Sequence, residues 1–105
     1  SCNPYLAFAA CLAAGLDGIE RSLTPPEEIT GNIFEMGPSA REARNLRSLP
    51  DTLESAIRAL QADKVITDVL GEHVTTQYVL GKLREWDEYR TQVSRWELDN
   101  YLVTY

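Results

Sequence analysis

The sequence predicts an all-α fold of five or six helices, and three features support that prediction. Apolar side chains recur at helical spacing through the second half of the chain. Residues that cap helix N-termini stand just before several of these segments. No segment alternates apolar and polar residues between turn signals, as a half-buried strand would. At 105 residues the chain forms one domain at most, spanning residues 1–105.

The first helix is predicted to begin at Pro4, where proline costs no hydrogen bond and Asn3 can accept a free amide. It should run to about Leu23, because Thr24-Pro25-Pro26 cannot continue it. No side chain from Tyr5 through Leu16 is charged, so this helix is apolar on all sides rather than along one stripe. We therefore expect it to be buried on every side.

Residues 24–50 are predicted to form a loop with one short helix near Ser39 to Asn45, because glycines and prolines interrupt any longer helix. The loop carries three arginines at a spacing of three residues: Arg41, Arg44 and Arg47. They could bind a phosphate group, but no glycine-rich loop or convergent aromatic residue accompanies them. Surface charge is the favoured interpretation.

The second half of the chain is predicted to be helical throughout. Asp51 or Thr52 can cap a helix whose apolar face is Leu53, Ile57 and Leu60. Asp63 can cap the next helix, which should end at Gly71. A long helix is then predicted from Glu72, with Val79, Leu83, Trp86 and Val93 on about one face. The capping-box pattern Ser94-Arg95-Trp96-Glu97 should open a last short helix.

The charge balance narrows the possible partners. Sixteen acidic and ten basic residues give a net charge of -6, so a phosphate backbone or an anionic membrane surface would repel the chain. We expect no nucleic-acid partner and no membrane association. The N-terminal apolar run is shorter than the roughly 20 residues that span a bilayer, and no basic region precedes it. These features predict a cytoplasmic protein.

The two cysteines are also consistent with a cytoplasmic protein. Cys2 and Cys11 lie nine residues apart, which is about 13 Å along one helix and too far for a disulfide. We expect two reduced thiols, with Cys11 buried as a small apolar residue.

Few residues are candidates for chemistry. His73 is the only histidine, and a metal site needs several converging ligands, so a structural or solvent-exposed histidine is favoured. Glu85, Asp87 and Glu88 could bind a cation, but a solvated helix face is the favoured interpretation. The sequence contains no nucleophile–base pair, phosphate loop or metal-spaced motif. We assign no catalytic, cofactor-binding or metal-ligating residue.

Aromatic residues are concentrated towards the C-terminus, where they could form a core or anchor an interface: Trp86, Tyr89, Trp96, Tyr101 and Tyr105. A first helix that is apolar all round, in a sequence that begins with Ser1, indicates a piece of a larger protein. The alternative is a helix at the centre of a small bundle.

One long block of sequence resembles a known family. Residues Asn3-Pro4-Tyr5-Leu6-Ala7-Phe8-Ala9-Ala10, followed by Leu12-Ala13-Ala14-Gly15-Leu16-Asp17-Gly18-Ile19, closely resemble a segment of type I, bacterial-type glutamine synthetases. Shorter blocks continue the resemblance in the family's order: Asn32-Ile33-Phe34-Glu35-Met36, Ser48-Leu49-Pro50, Leu70-Gly71-Glu72-His73 and Glu85-Trp86-Asp87-Glu88-Tyr89-Arg90-Thr91-Gln92-Val93.

This resemblance implies the C-terminal helical part of a larger α+β catalytic domain. In that family ATP phosphorylates the glutamate side chain and ammonia displaces the phosphate, with two divalent cations, Mg²⁺ or Mn²⁺, held by residues upstream of this segment. No residue here matches a metal, ATP or glutamate ligand, so the chain alone is expected to hold no cofactor and to be inactive. The implied partners are the rest of the subunit and neighbouring subunits of a double-ringed dodecamer.

The resemblance also implies candidates for regulation and assembly. Glu85 aligns with a glutamate that lies near a neighbour's active site in the feedback-inhibited subtype. We expect Trp86 to pack inward and the Glu85 carboxylate to stay free for a basic group of a neighbouring subunit. Trp96 and Tyr101 belong to the tail that packs against the opposite ring. Phe34 stands where the adenylylated subtype has its modified tyrosine, and phenylalanine has no hydroxyl to accept a nucleotide.

Two hypotheses follow from the sequence. The chain is either a segment of an ATP-dependent ligase that is inactive alone, or an independent helical protein-interaction module with no enzymatic role. The length of the source gene product would separate them, because a parent of several hundred residues supports the first.

Overall fold

A computed structural model describes residues 2–102 of the chain. The elements are α1 (Pro4–Glu20), a 3₁₀ turn (Ile33–Glu35), α2 (Pro38–Ala43), α3 (Leu53–Ala62), α4 (Lys64–Arg90), α5 (Arg95–Glu97) and a π-helical turn (Leu98–Leu102). The all-α prediction is confirmed. Four of these helices have six residues or more, fewer than predicted, because α4 runs across the break expected at Gly71 and α5 is a single turn.

Side-chain caps begin the helices where the sequence predicted them. The Asn3 side chain accepts the Tyr5 amide at 3.0 Å at the start of α1. Thr52, rather than Asp51, is the N-cap of α3, and Asp63 is the N-cap of α4. Each cap satisfies an amide that the first helical turn would otherwise leave unpaired.

The C-terminus of α1 differs from its prediction. The helix ends at Glu20 rather than near Leu23. Ser22 adopts a left-handed backbone conformation with φ 52°, a geometry usually supplied by glycine. The amides of Ser22 and Leu23 then donate to the Ile19 and Gly18 carbonyls at 3.1 and 2.9 Å, which closes the helix before the prolines are reached.

The break predicted at Gly71 is confirmed as a kink inside α4. Gly71 has φ 78° and ψ 159°, far from helical values. A backbone in this region is open almost only to glycine. The helix ends at Arg90, so Val93, which was predicted to share its face, lies beyond it.

Helix α4 packs against both α1 and α3. Among the described residues the buried apolar side chains are Ala13, Ile57 and Val79, one from each of these helices. The chain is spread over 58 × 41 × 21 Å with a radius of gyration of 18.5 Å. A compact domain of this length would have a radius of about 13 Å. The described residues therefore enclose little core.

Within the described residues α1 is buried on one side only, whereas burial on every side was predicted for it as part of a larger protein. Leu6 and Ala10 line a pocket together with Leu70 and Tyr78 of α4, and Ala13 is buried. The large apolar side chains point away and are exposed, and we call them the outer face of α1: Tyr5, Phe8, Leu12, Leu16 and Ile19. Cys11 is also exposed, so its predicted burial is wrong, although both cysteines are free as expected.

Within residues 2–102, no helix is both long and apolar enough to cross a membrane.

Candidate functional site

The C-terminal half of α4 places Glu85 in an ion pair. Its Oε2 accepts a hydrogen bond from Lys82 Nζ at 2.6 Å, since residues three apart share a helix face. The expectation that the Glu85 carboxylate is free is therefore wrong. Sequence reasoning missed Lys82, and its spacing of three residues from Glu85 was the available signal.

A second contact holds the lysine. Lys82 Nζ lies 5.7 Å from the centroid of the Tyr78 ring, within the range of a cation–π interaction. The Lys82 side chain is 29% exposed, whereas that of Glu85 is 59% exposed. The hydrogen bond to Glu85 raises the pKa of Lys82 above its usual value. Lys82 is therefore a fixed positive charge beside Glu85.

A cavity of about 460 Å³ lies between the start of α3 and the end of α4. Its lining residues are Asp51, Thr52, Leu53, Glu85, Trp86 and Tyr89. Trp86 is half-buried and its ring lies 6.0 Å from that of Tyr89, at an interplanar angle of 32°. The cavity thus combines an aromatic wall with two carboxylates, a surface that suits a cationic group.

The tail after α4 is ordered by local contacts. Ser94 and Glu97 form the predicted capping box: the Ser94 amide donates to Glu97 Oε2 at 2.7 Å, and the Glu97 amide donates to Ser94 Oγ at 3.2 Å. Trp96 and Tyr101 pack edge to face with ring centroids 5.6 Å apart. Both rings stay exposed, so they are available to a partner surface. Tyr105 lies outside the described residues.

Phe34 is presented on the 3₁₀ turn and is 93% exposed. The Asn32 side chain accepts the Phe34 amide at 3.1 Å. Arg41 Nη2 donates to the Ile33 carbonyl at 3.1 Å, which ties the turn to α2. Of the three loop arginines, Arg41 is the one that hydrogen-bonds to this turn.

The other two loop arginines share a cavity with carboxylates. Arg44 and Arg47 line a cavity of about 660 Å³ together with Glu27 and Glu28. Carboxylates on the same cavity would repel a phosphate. The geometry favours the surface-charge interpretation.

The remaining candidates for metal binding are scattered. His73 is exposed, and Asp87 pairs with Arg90 at 2.8 Å. In the part of the chain that the structure describes, no three potential metal ligands converge.

Comparison with protein families and comparison with individual proteins both find similarity to glutamine synthetases. A family model described as glutamine synthetase, catalytic domain, matches residues 1–101. The glutamine synthetase of Thermus thermophilus is 53% identical over 105 residues, which is 100% of this chain and 24% of that protein. Those of Staphylococcus aureus and Staphylococcus epidermidis are each 48% identical over 103 residues, covering 98% of this chain and 23% of theirs.

The described residues form an all-helical segment with little core and an exposed apolar face on α1. The chain belongs to the glutamine synthetase catalytic-domain family. It spans about a quarter of the length of the curated relatives it matches.

Proposed function

We propose that this chain, residues 1–105, is the C-terminal helical part of a glutamine synthetase subunit, the ATP-dependent ligase that joins ammonia to glutamate. In this role it supplies scaffold and intersubunit contacts and is inactive alone. The match of the family to nearly the whole chain supports the assignment, as does a chain length of 24% of that of the Thermus relative.

The observation that carries the scaffold role is the orientation of α1. Ala13 faces α4, whereas Phe8 and Ile19, at 77% and 75% exposure, face away from the rest of the chain. A stable isolated domain would reverse that arrangement, because burial of large side chains is the main gain of packing. We propose that the rest of the same subunit covers the outer face of α1.

The parent enzyme would use ATP with Mg²⁺ or Mn²⁺, bound by residues outside this chain, and would act in the cytoplasm. Its neighbouring subunits would meet the tail, where Trp96 and Tyr101 expose aromatic rings. Exposed aromatic side chains are enriched at the centres of protein interfaces. The absence of a hydroxyl on Phe34 supports an enzyme that is not adenylylated at this position.

Glu85 is the proposed regulatory contact of this segment. It lines the aromatic and acidic cavity beside Trp86. We propose that a basic group of a neighbouring subunit meets Glu85 in a state with low activity, which glutamine favours. A Glu85→Gln variant of the full-length enzyme should then require more glutamine for inhibition.

The scaffold role is tested on the isolated chain. Sedimentation at several concentrations should show self-association, or a hydrophobic dye should bind, because the outer face of α1 is uncovered. The double variant Phe8→Gln/Ile19→Gln should reduce both signals. Leu49→Gln is the matched control, since Leu49 is exposed but lies outside α1. A strictly monomeric wild-type chain that binds no dye would contradict the proposal.

A further inference from the structure

The ion pair between Lys82 and Glu85 occupies one of the two carboxylate oxygens of Glu85. The Lys82 ammonium is held at 2.6 Å from Glu85 Oε2 and also lies over the Tyr78 ring. The Lys82 side chain is less exposed than that of Glu85, so the lysine is the better anchored member of the pair. Glu85 is the member that lines the cavity with Trp86.

We infer that Lys82 is an internal competitor for Glu85 and sets the strength of the regulatory contact; this inference rests on the proposed role of Glu85. A carboxylate already paired with one ammonium attracts a second cation less, because the nearby positive charge offsets its field. A basic group from a neighbouring subunit must therefore displace Lys82 Nζ or share the carboxylate with it. Lys82 is a positioning residue in this scheme, since it acts through Glu85.

The direction of the effect follows from this competition. Removing the Lys82 charge leaves Glu85 unpaired, which strengthens its attraction for the neighbour's basic group. Since that contact is proposed to favour the inhibited state, glutamine should then inhibit at lower concentration. Linkage requires that a contact that stabilises the inhibited state also raises the affinity for the inhibitor.

The experiment measures glutamine inhibition of the full-length enzyme that contains this chain. Lys82→Met, which keeps the apolar stem, should lower the half-inhibitory glutamine concentration by about two- to fivefold. Lys82→Arg keeps the charge and should resemble the wild type. Arg90→Met is the matched control, because Arg90 forms a similar exposed pair with Asp87 at 2.8 Å two turns later. Activity without glutamine should be unchanged in all three variants.

A double variant separates this inference from its premise. In a Glu85→Gln background, Lys82→Met should have no further effect, because the group for which it competes is gone. If Glu85→Gln alone leaves the inhibition curve unmoved, the proposed role of Glu85 fails and the inference fails with it. If Glu85→Gln shifts the curve but Lys82→Met does not lower the half-inhibitory concentration, only the competition by Lys82 is overturned.

Discussion

Thr75 lies one helical turn after Gly71, and its buried hydroxyl oxygen has no hydrogen-bond partner within residues 2–102. In a continuous helix a threonine hydroxyl can donate to the carbonyl four residues earlier, which here belongs to Gly71. Among the described residues no such bond is present beside Gly71, whose backbone at φ 78° and ψ 159° interrupts the helix. The kink in α4 thus lies one turn before an unpaired buried hydroxyl, and its backbone geometry is one that almost only glycine adopts.

The backbone conformation of Gly71 predicts that even a substitution by alanine will destabilise the chain. Gly71→Ala should destabilise the chain by about 1–3 kcal/mol, because an alanine is strained in this backbone region. No heavy atom lies within 4 Å of the added carbon, so the loss would come from backbone strain rather than from a clash. The urea midpoint followed by circular dichroism measures it.

Gly81 provides the control for that measurement. It also lies in α4 and also has open space around it, but it has no left-handed φ. Gly81→Ala should therefore raise stability by about 0.5–1 kcal/mol. Equal effects of the two substitutions would contradict the backbone explanation.

Packing around α3 gives a second prediction. Ile57 is 4% exposed, the lowest value among the buried apolar residues. Ile57→Ala should cost about 2 kcal/mol, at the low end for such truncations, because a sparse core relaxes around the cavity. Leu49→Ala, at an exposed position, should leave the urea midpoint nearly unchanged. A negligible loss at Ile57 would mean that α3 does not pack on its neighbours in solution.

The capping box of the tail predicts a dependence on acid. The Ser94 backbone amide, and then its hydroxyl, lower the pKa of Glu97 below the ordinary glutamate value. A carboxyl group with a lowered folded-state pKa stabilises the fold above its unfolded pKa and loses that contribution as the pH falls through the folded value. The local order of the tail should therefore decrease on acidification below the ordinary glutamate range.

Nuclear magnetic resonance can follow that titration. The Glu97 carboxyl carbon and the Ser94 amide proton should report the same transition, because they belong to one hydrogen bond. Glu97→Gln should abolish the transition at the Ser94 amide. Persistence of the transition in that variant would assign it to another group.

The isolated chain should neither make glutamine nor hydrolyse ATP when ATP and magnesium are supplied. The physical reason is that the sequence carries no phosphate loop and no residue matched to a metal ligand of the family. A glutamine assay on the purified chain, with a full-length glutamine synthetase as the positive control, checks this. Measurable turnover by the 105-residue chain would refute the proposed division of roles.

The sequence alone determined where most helices begin and what class of fold they form. Asn3, Thr52, Asp63 and Ser94 cap helices because their side chains reach amides only two or three residues away. The kink at Gly71 was also predictable, because glycine is the residue that most readily leaves the helical conformation, which is a local property. The membership of a family was also readable from one long block of residues near the N-terminus.

Only the tertiary structure decided which face of each helix is covered. Helix α1 is apolar all round, so its composition could not show that Ala13 faces α4 while Phe8 faces away. The pairing of Glu85 was also settled only in the structure: the carboxylate was expected to be free, and it accepts a hydrogen bond from Lys82. Burial and ion pairing depend on the arrangement of groups in space, and local sequence preferences do not fix that arrangement.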